Sequence, residues 1–78
     1  MERSEIYERL NEIFRDVLDN DEIELTDTSR ADDIEEWTSL THIQLIVEIE
    51  KAFGIRFKSD EILEWNNVGE MVDSIRMK

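Results

Sequence analysis

Apolar side chains recur along this chain at the three- and four-residue steps of an α-helix. Ile6, Leu10, Ile13, Phe14 and Val17 share one such face, widened by Tyr7 and Leu18. The period predicts a first helix over about Ser4–Asp19, with Ser4 as its N-cap. The pattern then lapses. Residues 20–38, NDEIELTDTSRADDIEEWT, hold no sustained period and form a long connection. Ile23, Leu25 and Ile34 pin it to the core, with a turn of helix near Asp32–Glu35. Connections of that length in a small domain are uncommon and usually functional.

A second helix is expected over about Ser39–Phe53. Gly54 supplies the left-handed residue that stops it, and Ile55 the apolar neighbour of that stop. At about 100° per residue, Leu40, Ile43, Leu45, Ile46, Val47, Ile49, Ala52 and Phe53 take much more than half the circumference. Thr41, Gln44, Glu48 and Lys51 form the narrow polar strip. A surface helix needs one apolar stripe. Either this helix is central in a bundle, or its extra rim at Leu40 and Val47 faces a partner or cargo. Ile55-Arg56-Phe57 reads as a short extended piece. Ser59 caps a brief helix over about Asp60–Trp65. Asn67 with Glu70 is a capping-box variant that opens a last helix, about Val68–Ile75, with Met71, Val72 and Ile75 inward.

With no proline and two glycines, the chain reads as all-α: three main helices plus one short helix, in a single domain over residues 1–78. A domain of this size has a modest core. The absence of cysteine excludes a disulfide and a thiolate metal site. The balance of 21 acidic against 9 basic residues gives a net charge of -12. Such a surface repels nucleic acid and anionic membranes, and attracts partners with basic patches in a salt-dependent way. The apolar run Leu45-Ile46-Val47 is too short to span a bilayer, and MERSEIYERL contains no apolar signal-peptide core. A cytoplasmic monomer without membrane insertion is the expectation.

The chain offers little catalytic apparatus. Its one histidine, His42, lies three residues after Ser39, so a helical contact between them is conceivable, but a lone helical histidine is ordinarily a packed or partly exposed residue. There is no nucleophile elbow, phosphate-binding glycine loop or zinc-binding His pair. A calcium loop starting at Asp19 fails, because Glu24 replaces the turn glycine and Arg30 the bidentate glutamate. No metal site is assigned. Asp32/Asp33 and Glu35/Glu36 read as a solvated acidic loop. Ser39 is different. Either Thr38 or Ser39 caps the second helix; if Thr38 does, the Ser39 hydroxyl projects free at the positive helix end, where a phosphodiester gains from the macrodipole and unpaired N–H groups.

The segment EEWTSLTHIQLIVEIEKAFGIRF resembles the heart of an acyl carrier protein. The likeness covers nearly the whole chain in order: a first helix, a long loop, Ser39-Leu40 opening helix two, the Phe53-Gly54 stop, Ile55-Arg56-Phe57, a short helix at Asp60–Trp65, and a last helix capped at Asn67. The resemblance implies that Ser39, flanked by Thr38 and Leu40, carries 4′-phosphopantetheine, attached by a phosphopantetheinyl transferase from coenzyme A with Mg²⁺. The protein would hold an acyl or aminoacyl group as a thioester without itself being an enzyme. It also implies a docking surface at Leu40, Gln44, Val47, Glu48 and Glu50 for acyl-loading, acyl-transfer or synthase enzymes, with the acids of residues 32–36 steering them. Ile43, Ile46, Ile49, Phe53, Phe57, Ile62 and Met71 would line the interior that acyl chains enter. Thr38 stands where the family usually has Asp, and Gln44 and Lys51 at positions often acidic. With Trp37 and His42 beside the motif, the chain is similar to specialised stand-alone carriers of dedicated lipid, polyketide-like or aminoacyl pathways. The competing reading is an unmodified protein-interaction domain of the same fold.

Overall fold

The computed structural model describes residues 2–78. Four helices follow one another: α1 (Arg3–Val17), α2 (Ser39–Phe53), α3 (Ser59–Glu64) and α4 (Val68–Arg76), with a 3-10 turn at Ala31–Asp33 in the long first loop. No strand occurs among the described residues. The expected all-helical fold is therefore found. α1 packs against both α2 and α4.

α1 buries Ile6, Leu10 and Phe14 completely. Its start differs from the expectation. Glu2 is the N-cap and Ser4 lies inside the helix, because helical bonding already begins with the Ile6 N–H donating to the Glu2 carbonyl at 3.1 Å. Its end comes early as well. Leu18 is the C-cap, and Asp19 turns left-handed at φ 53°, which no helix continues through.

The loop after α1 is tied down along its length. Ile23 and Leu25 are buried and Ile34 packs half-buried against the core. The Leu25 N–H donates to Asn11 Oδ1 at 2.8 Å, and Arg15 Nε donates to the Ile23 carbonyl at 2.8 Å. The 3-10 turn sits at Ala31–Asp33, displaced from Asp32–Glu35, because the Asp33 carboxylate accepts from the Arg30 N–H at 3.1 Å and fixes the turn's start. Farther back, the loop supplies two carbonyls to α4: Ser29 O accepts from the Val68 N–H at 2.8 Å, and Asp27 O from the Gly69 N–H at 3.0 Å. A helix start leaves its first N–H groups without internal partners, and here the long loop satisfies two of them.

Asp27 is the charged node of this junction. Its carboxylate accepts from the Tyr7 hydroxyl and from Arg3, and Arg3 also bridges to Asp73 on α4. These bonds hold the Asp27 carboxyl below its ordinary range, Tyr7 contributing most and Arg3 next. Tyr7 is pushed up to about 12, first by burial of its phenol and then by the bond to Asp27. A raised phenol contributes stability that is full below about pH 10, its unfolded value, and is lost as pH climbs through about 12. Since Tyr7 is the only tyrosine, an ultraviolet phenolate titration reads it directly. The expected midpoint lies near 12, returning toward 10 in Asp27→Ala.

α2 has the expected limits. Gly54 ends it at φ 65°, and the N–H groups of Gly54 and Ile55 both reach the Glu50 carbonyl. Leu45, Ile46 and Ile49 face inward, whereas Leu40, Ile43 and Val47 are 76%, 64% and 42% exposed. Ile43 was expected to line the interior, but it falls on the Leu40–Val47 row at helical spacing, away from the row that meets α1. The excess apolar surface of α2 is thus an exposed rim.

α3 begins at Ser59, not after it. Lys58 is the N-cap, its N–H bonded to the Glu61 carboxylate at 3.0 Å, so Ser59 is helical and does not cap. α3 ends at Glu64, and Trp65 is extended. Its indole N–H donates to Ser74 Oγ on α4 at 2.9 Å, and its ring meets Phe57 edge-on at 4.9 Å. Asn67 caps α4 as expected, accepting from the Glu70 N–H at 2.9 Å. The reciprocal bond is shifted by one: the Glu70 carboxylate accepts from the Asn66 N–H at 3.0 Å.

Candidate functional site

The start of α2 is built by two threonines. Thr38 is extended, and its Oγ1 accepts from the Thr41 N–H at 3.3 Å, while its own N–H donates to Thr41 Oγ1 at 2.7 Å. The Thr41 hydroxyl in turn donates to the Glu36 carbonyl at 2.9 Å. Thr38 therefore caps, and Ser39 is the first helical residue. Its side chain is exposed, and no hydrogen bond joins its hydroxyl to another described residue. The N–H groups of this first turn lack intrahelical acceptors, so the positive end of the helix lies beside a free hydroxyl.

Beneath that turn runs a row of rings. Phe14 of α1 meets Trp37 edge-on at 4.9 Å, and the Trp37 and His42 rings lie side by side and nearly parallel, with centroids 5.9 Å apart. The Trp37 indole N–H donates to His42 Nδ1 at 3.0 Å. Burial lowers the His42 pKa from its usual value, so the ring is neutral at pH 7. His42 is spent on Trp37 and makes no hydrogen bond to Ser39. The nucleophile–base pair that their spacing made conceivable is not assembled.

Leu40, Gln44, Val47 and Glu48 share the exposed side of α2, and Ile43 stands among them. Glu50 is placed apart from this group: half-buried, its carboxylate accepts from the Phe57 N–H at 2.9 Å and staples the end of α2 to the segment before α3. The acids Asp32, Asp33, Glu35 and Glu36 are all exposed beside the start of α2. Of the expected interior set, Ile46, Ile49 and Met71 are buried and Phe53, Phe57 and Ile62 half-buried. No group of side chains among the described residues is arranged to hold a metal ion, and no described helix is long and apolar enough to cross a membrane.

A pocket of about 390 Å³ opens at this end of the bundle. The loop contributes Arg30, Ala31, Asp32 and Trp37, α2 contributes His42, and the far wall is Ile62, Trp65, Asn66, Asn67 and Met71. The role of His42 in this wall was not foreseen. The one sequence signal for it was its nearness to Trp37.

Comparison with known proteins bears directly on this geometry. Residues 8–75 match the family described as the phosphopantetheine attachment site. The chain is 38% identical over 76 residues to an acyl carrier protein of Rubrobacter xylanophilus, covering 96% of this chain and 93% of that protein. It is 29% identical over 75 residues to an acyl carrier protein of Coprothermobacter proteolyticus, covering 96% and 92%. The fold superposes on the solution structure of holo acyl carrier protein from Geobacter metallireducens with a TM-score of 0.87 and 40% identity, over 92% of this chain and 83% of that one. With its helix order, its capped α2 and these relatives, the chain belongs to the acyl carrier protein family, the carriers of phosphopantetheine.

Proposed function

We propose that Ser39 Oγ is the attachment point of 4′-phosphopantetheine and that the protein presents an acyl or aminoacyl group to the enzymes of a dedicated biosynthetic pathway. One observation carries this reading. Thr38, not Ser39, caps α2, which leaves the Ser39 hydroxyl exposed and unbonded at the positive end of a fifteen-residue helix. The site fits a phosphodiester: the macrodipole and the free N–H groups of the first turn favour negative charge there. When attached, the group supplies a terminal thiol, which this cysteine-free chain lacks.

The chain's own residues do the rest. The Thr38–Thr41 cap fixes the Ser39 backbone. In attachment, Ser39 Oγ bonds to the phosphorus of coenzyme A, the pyrophosphate link breaks, adenosine bisphosphate leaves, and the hydroxyl proton passes to a base of the transferase. Leu40, Ile43 and Val47 offer an apolar strip to a docked enzyme, with Gln44 and Glu48 at its edge. Asp32, Asp33, Glu35 and Glu36 draw basic partner surfaces to the same end. The protein is a carrier and not an enzyme.

The reading is tested by intact mass after incubation with coenzyme A, Mg²⁺ and a broad-specificity phosphopantetheinyl transferase. The expected result is a gain of one phosphopantetheine in the native chain and none in Ser39→Ala. No gain with several transferases, and none in protein from its native cells, would favour the unmodified interaction domain, whose surface would be the same apolar strip.

A further inference from the structure

Ser39 lies inside a clasp of side-chain bonds. Three consecutive residues before it are each tied to the first turn after it. The Glu36 carbonyl accepts from Thr41 Oγ1 at 2.9 Å, the Trp37 indole N–H donates to His42 Nδ1 at 3.0 Å, and the Thr38 N–H donates to Thr41 Oγ1 at 2.7 Å. The Thr41 hydroxyl thus spends its one proton on the loop and accepts from the cap at the same time. Ser39 and Leu40, at the tip, join none of these bonds and are exposed. A single cap bond suffices to start a helix. Here Thr41 and His42 hold the preceding loop as well, so the backbone on both sides of the Ser39 hydroxyl is fixed.

The His42 bond holds only while the ring is neutral. An imidazolium is a donor at both nitrogens, and a donor at Nδ1 cannot accept from the Trp37 indole. Trp37 is 9% exposed, so its released N–H would find little water. Burial lowers the His42 pKa, so the bond's contribution to stability is full above about 6.5, the unfolded value, and is lost as pH falls through the lower folded one. The charged groups facing His42 are Arg30 and Asp32 of the loop, which line the same pocket. To that pocket α3, α4 and the segment between them bring no titratable side chain, and α1 meets the Trp37–His42 pair through Phe14.

We infer that Thr41 and His42 are positioning residues for attachment at Ser39: they clasp the loop to α2 so that the hydroxyl meets the transferase in one place, and the clasp opens in acid. This rests on the Ser39 reading, and the test separates the two. Steady-state attachment of phosphopantetheine from coenzyme A by a broad-specificity transferase is followed by intact mass for the native chain, Thr41→Val, Thr41→Ser and His42→Asn. Asparagine keeps an acceptor near the Nδ1 position but does not titrate, and it leaves Arg30 and Asp32 in place. The ratio of native to His42→Asn rates at each pH therefore cancels the transferase's own profile. Amide spectra follow the Trp37 indole N–H over the same range, with that of Trp65, bonded to Ser74, as internal reference.

The expected result is a kcat about tenfold lower in Thr41→Val with KM little changed, since a misplacement of about 1 Å can cost about a hundredfold. Thr41→Ser, which keeps the hydroxyl, restores kcat. Mere loosening of the helix would raise KM instead, because the docking strip lies on α2. The native-to-His42→Asn ratio holds steady above about pH 7 and falls toward about one-fifth as the ring protonates, the effect of about one net hydrogen bond. The Trp37 indole signal moves with it. Native kcat in Thr41→Val, no rescue by Thr41→Ser, a flat rate ratio, or a Trp37 signal that ignores the ring's titration overturns the inference and leaves Ser39 standing. No mass gain in the native chain overturns the Ser39 reading, and this inference with it.

Discussion

Phe14→Ala is expected to destabilise the protein by about 3–5 kcal/mol, the usual cost of truncating a buried phenylalanine. Phe14 is fully buried on α1 and meets Trp37 edge-on at 4.9 Å. Its removal takes away core contacts and also the surface on which the Trp37–His42 pair rests. A domain of this length has a total stability of about 4–12 kcal/mol, so the loss is a large share of the whole. Urea or thermal denaturation followed by tryptophan fluorescence measures it. A cost under about 1 kcal/mol would contradict this packing. Phe14→Leu, which keeps most of the volume, should lose much less.

Gly69→Ala is expected to destabilise by about 1–3 kcal/mol, the range for forcing extra volume into a packed site. Its sign is informative. Alanine in place of a helical glycine ordinarily stabilises by up to about 1 kcal/mol. Here, however, an added Cβ would lie 2.9 Å from the Asp27 carbonyl oxygen and 3.1 Å from Asp27 Cβ. Both atoms are held in place, because Asp27 O accepts from the Gly69 N–H and its carboxylate binds Tyr7 and Arg3. The loop must move off α4, and those bonds go with it. Denaturation reads the stability, and the Tyr7 titration should fall from about 12 toward 10 in the same variant. A stabilised Gly69→Ala would show that the loop does not approach α4 this closely.

The elements most legible in the sequence were those marked by local chemistry. The limits of α2, its stop at Gly54 and the Asn67 cap of α4 each depend on residues a few positions apart, and each is found as read. Helix starts without a strong polar signal were less legible. Ser4 and Ser59 look like caps, yet Glu2 and Lys58 hold those places, where backbone bonding and the Glu61 carboxylate outweigh a serine. Ile43 was misplaced because α2 is apolar nearly all round, so its pattern does not say which side meets α1. The bonds of Glu50 to Phe57, Trp37 to His42 and Tyr7 to Asp27 were unreadable for a different reason. They join segments whose approach is set by the packed fold, not by spacing. At the site, the family likeness pointed to Ser39 and the exposed strip, but the pocket walls, drawn from the loop, α2 and the segment before α4, come together only in the packed fold.

The reciprocal Thr38–Thr41 cap has a consequence for delivery. Ser39 belongs to the first turn of a helix and not to the loop before it, so a flexible arm rooted there has a fixed origin that moves only with the domain. On the proposed attachment, and with α2 docked on an enzyme, the free end of the arm would search a volume centred on a known point. Transfer would then be an intramolecular event at an effective concentration of about millimolar, set by the reach of the arm and the place of docking. Neither the concentration of the carrier in solution nor the wandering of a loop enters that figure.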